Sequence, residues 1–148
     1  MAHFIGEHTK SIDAKGRISI PAQFRKAISP EANETFVVSK GYEGCLAVRP
    51  LDEWNRFTDG LRTLSSDQRE TRRYLRAVVA QASEGKLDGQ GRIIIPKKLL
   101  DLAGVKSRAI VIGVLDKIEI WNPERYEEYM TDADSALEEI GEDLSDRI

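Results

Sequence analysis

Hydrophobic residues in this chain come in short runs that stop at proline or glycine, a pattern typical of short strands. The clearest run, Arg17-Ile-Ser-Ile-Pro21, recurs 75 positions later as Arg92-Ile-Ile-Ile-Pro96. Each run follows a glycine, Gly16 or Gly91, which can take a positive φ, so each predicts a strand that leaves a tight loop. Two further strands are predicted in each half of the chain, at Thr35–Ser39 with Cys45–Arg49 and at Ala109–Gly113 with Lys117–Trp121.

Helical spacing of apolar residues begins directly after four prolines, and proline suits the first turn of a helix. These prolines are Pro21, Pro50, Pro96 and Pro123. Gly104 is placed to end the helix after Pro96. The stretch Asp67–Ala82 contains neither glycine nor proline, and it predicts a helix that connects the two halves.

The two halves are copies of one unit of about 50 residues. The loop-and-strand motif Asp13–Pro21 matches Asp88–Pro96, and further along the chain Gly41 matches Gly113 at an offset of 72. A unit of this size has too little interior to be stable alone, so we expect the copies to bury their apolar faces against each other. This pairing predicts a mainly β protein with short helices, of the α+β class, built as one pseudo-symmetric barrel.

The repeat also sets the expected organisation of the chain. We expect a first repeat over residues 5–57, connecting helices over 58–82, a second repeat over 83–129 and an acidic tail over 130–148.

Composition narrows the class of protein. No apolar run approaches the roughly 18–20 residues that span a bilayer, and the first 16 residues lack the apolar stretch of a signal peptide, so we expect a cytoplasmic protein without a membrane partner. One cysteine, Cys45, and two histidines give neither a disulfide framework nor a zinc site. Nucleotide-binding glycine motifs and nucleophile-and-base pairs are absent. We therefore expect no enzyme, no cofactor and no small-molecule substrate.

The net charge of −3 hides an uneven distribution. From Glu124 onward ten acids face two bases, a net charge of −8, which leaves 20 bases and 15 acids, or +5, before it. A basic body favours nucleic acid as a partner, although +5 over 123 residues is modest.

The Asp-x-Lys-Gly-Arg loop has two interpretations. In the structural one, the side chain of Asp13 accepts hydrogen bonds from backbone N–H groups of the turn and pairs with Arg17. In the functional one, the loop presents Lys15 and Arg17 to phosphates or to a guanine edge. The second copy has Gln90 in place of Lys15, so a nucleic-acid site is expected mainly on the first copy.

Four arginines share one side of the connecting helix, because their spacing is i, i+3, i+4 and i+7. They are Arg69, Arg72, Arg73 and Arg76. Such a stripe is usually a solvated face or half of a set of ion pairs, and the alternative here is a set of secondary phosphate contacts. The acidic tail predicts an amphipathic, solvated helix.

The doubled Asp-x-Lys/Gln-Gly-Arg-Ile-x-Ile-Pro signature, together with the arginine-rich helix between its copies, resembles the MraZ family of bacterial transcriptional regulators. The resemblance covers about residues 3–130. Each copy is similar to a SpoVT–AbrB domain, whose fold is a swapped-hairpin, double-psi-like β-barrel, and here one chain would supply both halves.

The resemblance implies a nucleoid-associated regulator that binds double-stranded DNA at short direct repeats. The promoter would be that of the division and cell-wall gene cluster that contains its own gene, and the protein would assemble into a ring of several copies. The family's DNA-contacting loop maps onto Lys15 and Arg17, with Gly16 in the loop and Asp13 supporting it. The alternative function is an antitoxin-like module that uses the same barrel to sequester a protein partner.

Overall fold

Short apolar runs become strands throughout the protein, whose computed structural model describes residues 2–148. These residues form a mixed α+β fold with a mainly antiparallel sheet. The strands are β1 (Phe4–Ser11), β2 (Arg17–Ser19), β3 (Thr35–Lys40), β4 (Leu46–Pro50), β5 (Ser83–Lys86), β6 (Arg92–Ile94), β7 (Arg108–Leu115) and β8 (Ile118–Trp121).

Four of the helices begin at the prolines, as predicted. Three prolines are the residues just before a helix and Pro123 is the first residue of one, while Gly104 ends a helix at φ 67°. The helices are α1 (Ala22–Arg25), α2 (Leu51–Leu61), α3 (Arg69–Val78), α4 (Lys97–Ala103), α5 (Pro123–Ser135) and α6 (Leu137–Ser145), with a 3-10 turn at Pro30–Ala32.

The connecting helix α3 is shorter than the predicted Asp67–Ala82. Gln68 is extended, with φ −83° and ψ 131°, so the helix starts after it. At the other end, Ser83–Lys86 pairs with β3 as strand β5, and the chain must leave the helix before that strand begins. A pairing with a strand of the first copy therefore overrides local helical propensity.

The two copies interleave. The larger sheet has the order β1-β7-β8-β4-β3-β5, and β2 pairs with β6 in a separate two-stranded ribbon. Exchanging each strand for its equivalent in the other copy reverses the order of the larger sheet and leaves it otherwise unchanged. The first strand of each copy thus pairs with the third strand of the other copy, and the fold is pseudo-symmetric.

The predicted α+β class with two pseudo-symmetric repeats agrees with the structure, but the strand pairs do not close a barrel. Within residues 2–148 the larger sheet is open at β1 and β5, and a single bridge between Ile12 and Ile18 joins the ribbon to the chain beyond β1. Strands of three residues, as β2 and β6 are, offer few bonds for closure. Closure into a barrel is therefore not observed among residues 2–148, and the swapped-hairpin arrangement stays a prediction.

The main core lies between the larger sheet and the ribbon. Its fully buried side chains include Phe4, Ile18, Phe24, Phe36, Ile93 and Leu99. A smaller cluster on the other face of the sheet contains Cys45, Ile112 and Trp121, with Tyr126 of α5 packed against them. Among residues 2–148, no helix is both long enough and apolar enough to cross a membrane.

Candidate nucleic-acid interface

The β2–β6 ribbon has one buried face and one exposed face. Ile18 and Ile93 stand opposite each other and are almost wholly buried. Because side chains alternate along a strand, the neighbours of these isoleucines point outward. The outward side chains are Arg17, Ser19, Arg92 and Ile94. The ribbon therefore presents two arginines and one exposed apolar side chain on a single surface.

Asp13 organises the loop before β2. Its Oδ1 accepts the backbone N–H groups of Lys15, at 3.0 Å, and of Arg17, at 2.9 Å. Its backbone carbonyl accepts the N–H of Gly16 at 2.9 Å. The side chain of Lys15 is exposed at the tip of this loop. Asp13 therefore makes the turn hydrogen bonds that its structural interpretation predicts.

The same aspartate also orients Arg17. Nε of Arg17 donates to Oδ2 of Asp13 at 2.6 Å, so the carboxylate is bound on both oxygens. Hydrogen bonds from the backbone N–H and the guanidinium of Arg17 hold the pKa of the Asp13 carboxyl below its usual range. Within residues 2–148 the two Nη groups of Arg17 make no hydrogen bond. The clamp thus fixes the guanidinium and leaves its outer N–H groups available to a ligand.

Gly16 is required by the loop's conformation. Its φ is 80°, a region that L side chains rarely adopt, and a Cβ on it would lie 2.5 Å from the carbonyl oxygen of Ile95. That close approach lets Gly16 accept the N–H of Ile95 at 2.9 Å. The loop of the first copy is therefore tied to the strand end of the second.

The second copy repeats this loop almost atom for atom. Oδ1 of Asp88 accepts the N–H groups of Gln90 and Arg92 at 2.8 and 2.9 Å, and Oδ2 accepts Nε of Arg92 at 2.9 Å. Gly91 has φ 73°, and its carbonyl accepts the N–H of Ile20 at 2.9 Å. Loss of the lysine at position 90 therefore leaves the arginine clamp intact.

Arg25 is a basic residue of this surface that the sequence analysis missed. Its guanidinium lies against Gly91, where an added Cβ would be 2.7 Å from Cζ, and its Nε donates to the carbonyl of Ile20 at 3.0 Å. In the first loop the equivalent place beside Gly16 is occupied by Leu100. Aligning α1 with α4 pairs Arg25 with Leu100, so that alignment was the available signal, but only the interleaved fold brings α1 to the second loop.

The two loops differ in their electrostatic surroundings. The cleft beside the first loop is lined by three lysines, Lys15, Lys97 and Lys106, together with two acids, Asp13 and Asp101. The cleft beside the second loop has Arg25 with Asp88 and Glu34. The first loop is therefore the more favourable of the two for an anionic partner.

The four arginines of α3 do not form one free stripe. Nη1 of Arg72 donates to the backbone carbonyls of Ser66 and Asp67, both at 2.9 Å, and so fixes the segment that enters the helix. Arg73 pairs with Glu70 at 3.3 Å on the surface. Arg69 and Arg76 are exposed and form no ion pair within the part of the chain that the structure describes.

A metal-binding cluster of three or more His, Cys, Asp or Glu side chains is not found among residues 2–148. Cys45 is buried in the smaller cluster with Ile112, Trp121 and Tyr126, and this burial raises the pKa of its thiol to about 12, so the thiol stays protonated.

Comparison with known proteins gives a match over nearly the whole chain. A family model described as "MraZ protein, putative antitoxin-like" matches twice, over residues 3–77 and 78–148. Three similar proteins, each named "Transcriptional regulator MraZ", come from Natranaerobius thermophilus, a Thermoanaerobacter species and Pediococcus pentosaceus. Their identities are 36%, 42% and 39%, and the alignments cover 97%, 96% and 97% of this chain and the same shares of the relatives.

One solved structure, the solution structure of PHS018 from Pyrococcus horikoshii, aligns at 19% identity. The alignment covers 82% of this chain and 94% of that chain, with a TM-score of 0.31.

Proposed function

Because the chain belongs to the MraZ family, we propose that it is a transcriptional regulator that binds double-stranded promoter DNA sequence-specifically. The observation that carries this proposal is the pair of arginine clamps on the outer face of the ribbon. In each clamp an aspartate holds Nε, and the Nη groups of Arg17 and Arg92 are left free of hydrogen bonds within the described chain.

This arrangement suits readout of a base edge. A guanidinium can donate two hydrogen bonds to O6 and N7 of guanine, and a fixed orientation lowers the entropy lost on binding. The major groove is about 12 Å wide and admits a two-stranded ribbon, whose strands lie about 4.8 Å apart. Ile94, 58% exposed, lies opposite Arg17 and two residues along the strand from Arg92, and it offers an apolar contact of the kind that thymine methyl groups accept.

The bases around the first loop serve a different purpose. Lys15 and Lys106 carry flexible ammonium groups that suit phosphate oxygens rather than base edges, and Lys97 carries a third, which pairs with Asp101 at 2.8 Å on the surface. They position the ribbon on the duplex without reading its sequence. Arg25 does the same beside the second loop, and the first loop remains the main site because its cleft has more bases.

A single loop offers too few contacts for a specific complex. One bidentate contact supplies roughly 1–3 kcal/mol of discrimination, whereas a specific site exceeds bulk DNA by roughly 4–10 kcal/mol. Several copies must therefore act together, and a ring that engages short direct repeats gains avidity through effective concentration. From the family resemblance, the target is the promoter of the division and cell-wall gene cluster that includes its own gene, and the protein works at the nucleoid in the cytoplasm.

A titration of the protein against labelled DNA from upstream of its own gene tests the proposal. We expect tighter binding to this DNA than to a scrambled duplex of equal composition, and an affinity that falls steeply with salt, because neutralised phosphates release counterions. Equal affinity for both duplexes would contradict sequence-specific binding. Failure to bind either one would favour the antitoxin-like alternative, in which the partner is a protein.

Two variants locate the contact. Arg17→Ala removes one guanidinium from the ribbon face, and we expect it to abolish the preference for the promoter while the melting temperature changes little. Lys98→Ala removes an exposed base of α4 and serves as the control, with wild-type affinity expected. If both variants lose affinity equally, the ribbon face is not the specific site.

A further inference from the structure

Helix α6 presents an apolar stripe that the described chain does not cover. Leu137, Ile140 and Leu144 stand at i, i+3 and i+7, on one side of the helix, and are 67%, 48% and 40% exposed. No residue of α6 is buried. Acids cover much of the rest of the helix, and two of them lie on one side of the stripe: Asp143 borders Ile140, and Glu139 stands one turn before Asp143. The helix is therefore amphipathic, with negative charge beside its apolar stripe.

The link between α5 and α6 keeps this stripe away from its own sheet. Only Ala136 separates the two helices, and an antiparallel pair of helices needs a loop of about 2–5 residues. In the first copy, residues 62–68 separate α2 from α3, and α3 returns to its sheet, where the hydroxyl groups of Tyr74 and Tyr42 are 2.8 Å apart. The second copy lacks such a loop, so α6 extends beyond the fold.

The outer side of α3 has the complementary chemistry. Arg69 and Arg76 are exposed there without an ion pair in residues 2–148, and Arg73 has only its surface contact with Glu70. The chain near the two ends of this helix exposes apolar side chains as well, Leu64 at 50% and Val79 at 37%. The helix is about 15 Å long and α6 about 13.5 Å, at 1.5 Å per residue, so the two match in length.

We propose that α6 of one copy packs on the outer side of α3 of a second copy, with its acids against the arginines. The two surfaces are different, so the contact is heterologous, and it generates a ring when its rotation closes. The inference rests on the assembly included in the proposed function and names the surfaces that form it. It assigns the arginines of α3 to a protein contact rather than to phosphates.

Charge reversal on each surface tests the contact. One variant combines Arg69→Glu with Arg76→Glu, and the other combines Glu139→Arg with Asp143→Arg. All four residues are exposed and form no ion pair within residues 2–148, so the fold is expected to persist, which circular dichroism checks. A third variant, Lys26→Glu with Lys98→Glu, makes the same change in charge as the first on surfaces outside the contact.

Light scattering without DNA gives the readout. We expect a mass well above 16.6 kDa for the chain and for the lysine control, and a mass near 16.6 kDa for each charge-reversed variant alone. Mixing the two reversed variants should restore the large assembly. The new glutamates on α3 of the first variant then face the new arginines on α6 of the second, and the unchanged acids of the first face the unchanged arginines of the second. Wild-type mass in either variant, or a mixture that stays monomeric, would overturn the proposal.

These outcomes are independent of DNA binding. A variant with Arg69→Glu and Arg76→Glu that keeps its mass but loses affinity for promoter and scrambled DNA alike would assign the arginines to phosphates. A folded monomer that still prefers promoter to scrambled DNA, but binds it much more weakly than the assembly does, would leave the proposed function standing while showing that assembly uses this contact.

Discussion

Gly16→Ala is the substitution whose effect the structure defines most closely. The loop holds Gly16 at φ 80°, and the new Cβ would lie 2.5 Å from the carbonyl oxygen of Ile95. That oxygen belongs to backbone, which cannot rotate away as a flexible side chain can. The loop must therefore move, and its hydrogen bond from the N–H of Ile95 to the carbonyl of Gly16 lengthens or breaks.

The magnitude follows from three contributions to the free energy of unfolding. The left-handed conformation costs alanine about 1–2 kcal/mol, and loss of one backbone hydrogen bond costs about 0.5–1.5 kcal/mol. Alanine also lowers the conformational entropy of the unfolded chain, which offsets about 0.4–1 kcal/mol of this loss. The net destabilisation is about 1–3 kcal/mol, which for a chain of this length lowers the melting temperature by about 3–10 °C.

Thermal unfolding followed by circular dichroism measures this difference. Gly89→Ala is the matched control, because Gly89 has no atom within 4 Å of an added Cβ and the first copy already carries Ala14 at the equivalent position. We expect Gly89→Ala to leave the melting temperature unchanged or slightly higher. Equal melting temperatures for Gly16→Ala and Gly89→Ala would refute the account of the loop.

Three further predictions concern the loops. Lys15→Ala should weaken binding to promoter and scrambled DNA alike. It should also make the slope of log affinity against log salt concentration shallower by about one, as measured by titration at several salt concentrations. Arg92→Ala should reduce DNA affinity less than Arg17→Ala, since the cleft beside the second loop is lined by one base, Arg25, and two acids, Asp88 and Glu34. An equal loss would show that both copies read DNA. Hydrogen bonds lower the pKa of Asp13 and Asp88 in the folded state, so their stabilisation is present above about pH 4 and is lost as the pH falls through the lowered values. Acid unfolding curves should therefore show a smaller loss of stability below pH 4 for Asp13→Asn than for the wild type.

The local parts of this fold could be predicted from the sequence because their causes are local. Proline before a helix, Gly104 after one, and the hydrogen bonds of an aspartate to its own turn all act within a few residues. The outward position of Arg17 also follows from alternation along a short strand. The sequence alone could therefore identify Arg17 at the loop and Asp13 as its support.

Features that depend on contacts between the copies were not within reach. The end of α3 is set by the pairing of β5 with β3, and the neighbour of Gly91 is Arg25, 66 positions away along the chain. Arg72 looked like a member of a free stripe, yet it donates to two carbonyls that no spacing rule would place beside it. Closure of a barrel likewise depends on pairing between sheet edges that are far apart in the sequence.

Protection of the ribbon face by DNA tests the central claim most directly. Ile94→Cys places a thiol on that face, at a position that is 58% exposed. Leu115→Cys places a control thiol on the β7–β8 hairpin, at a position that is 61% exposed. Native Cys45 is buried and the pKa of its thiol is raised to about 12, so it should not react. We predict that promoter DNA slows alkylation of the thiol at position 94 at least about tenfold, the contrast expected of a site occupied most of the time. Alkylation at position 115 should keep its rate. Equal rates at position 94 with and without saturating promoter DNA would contradict the account.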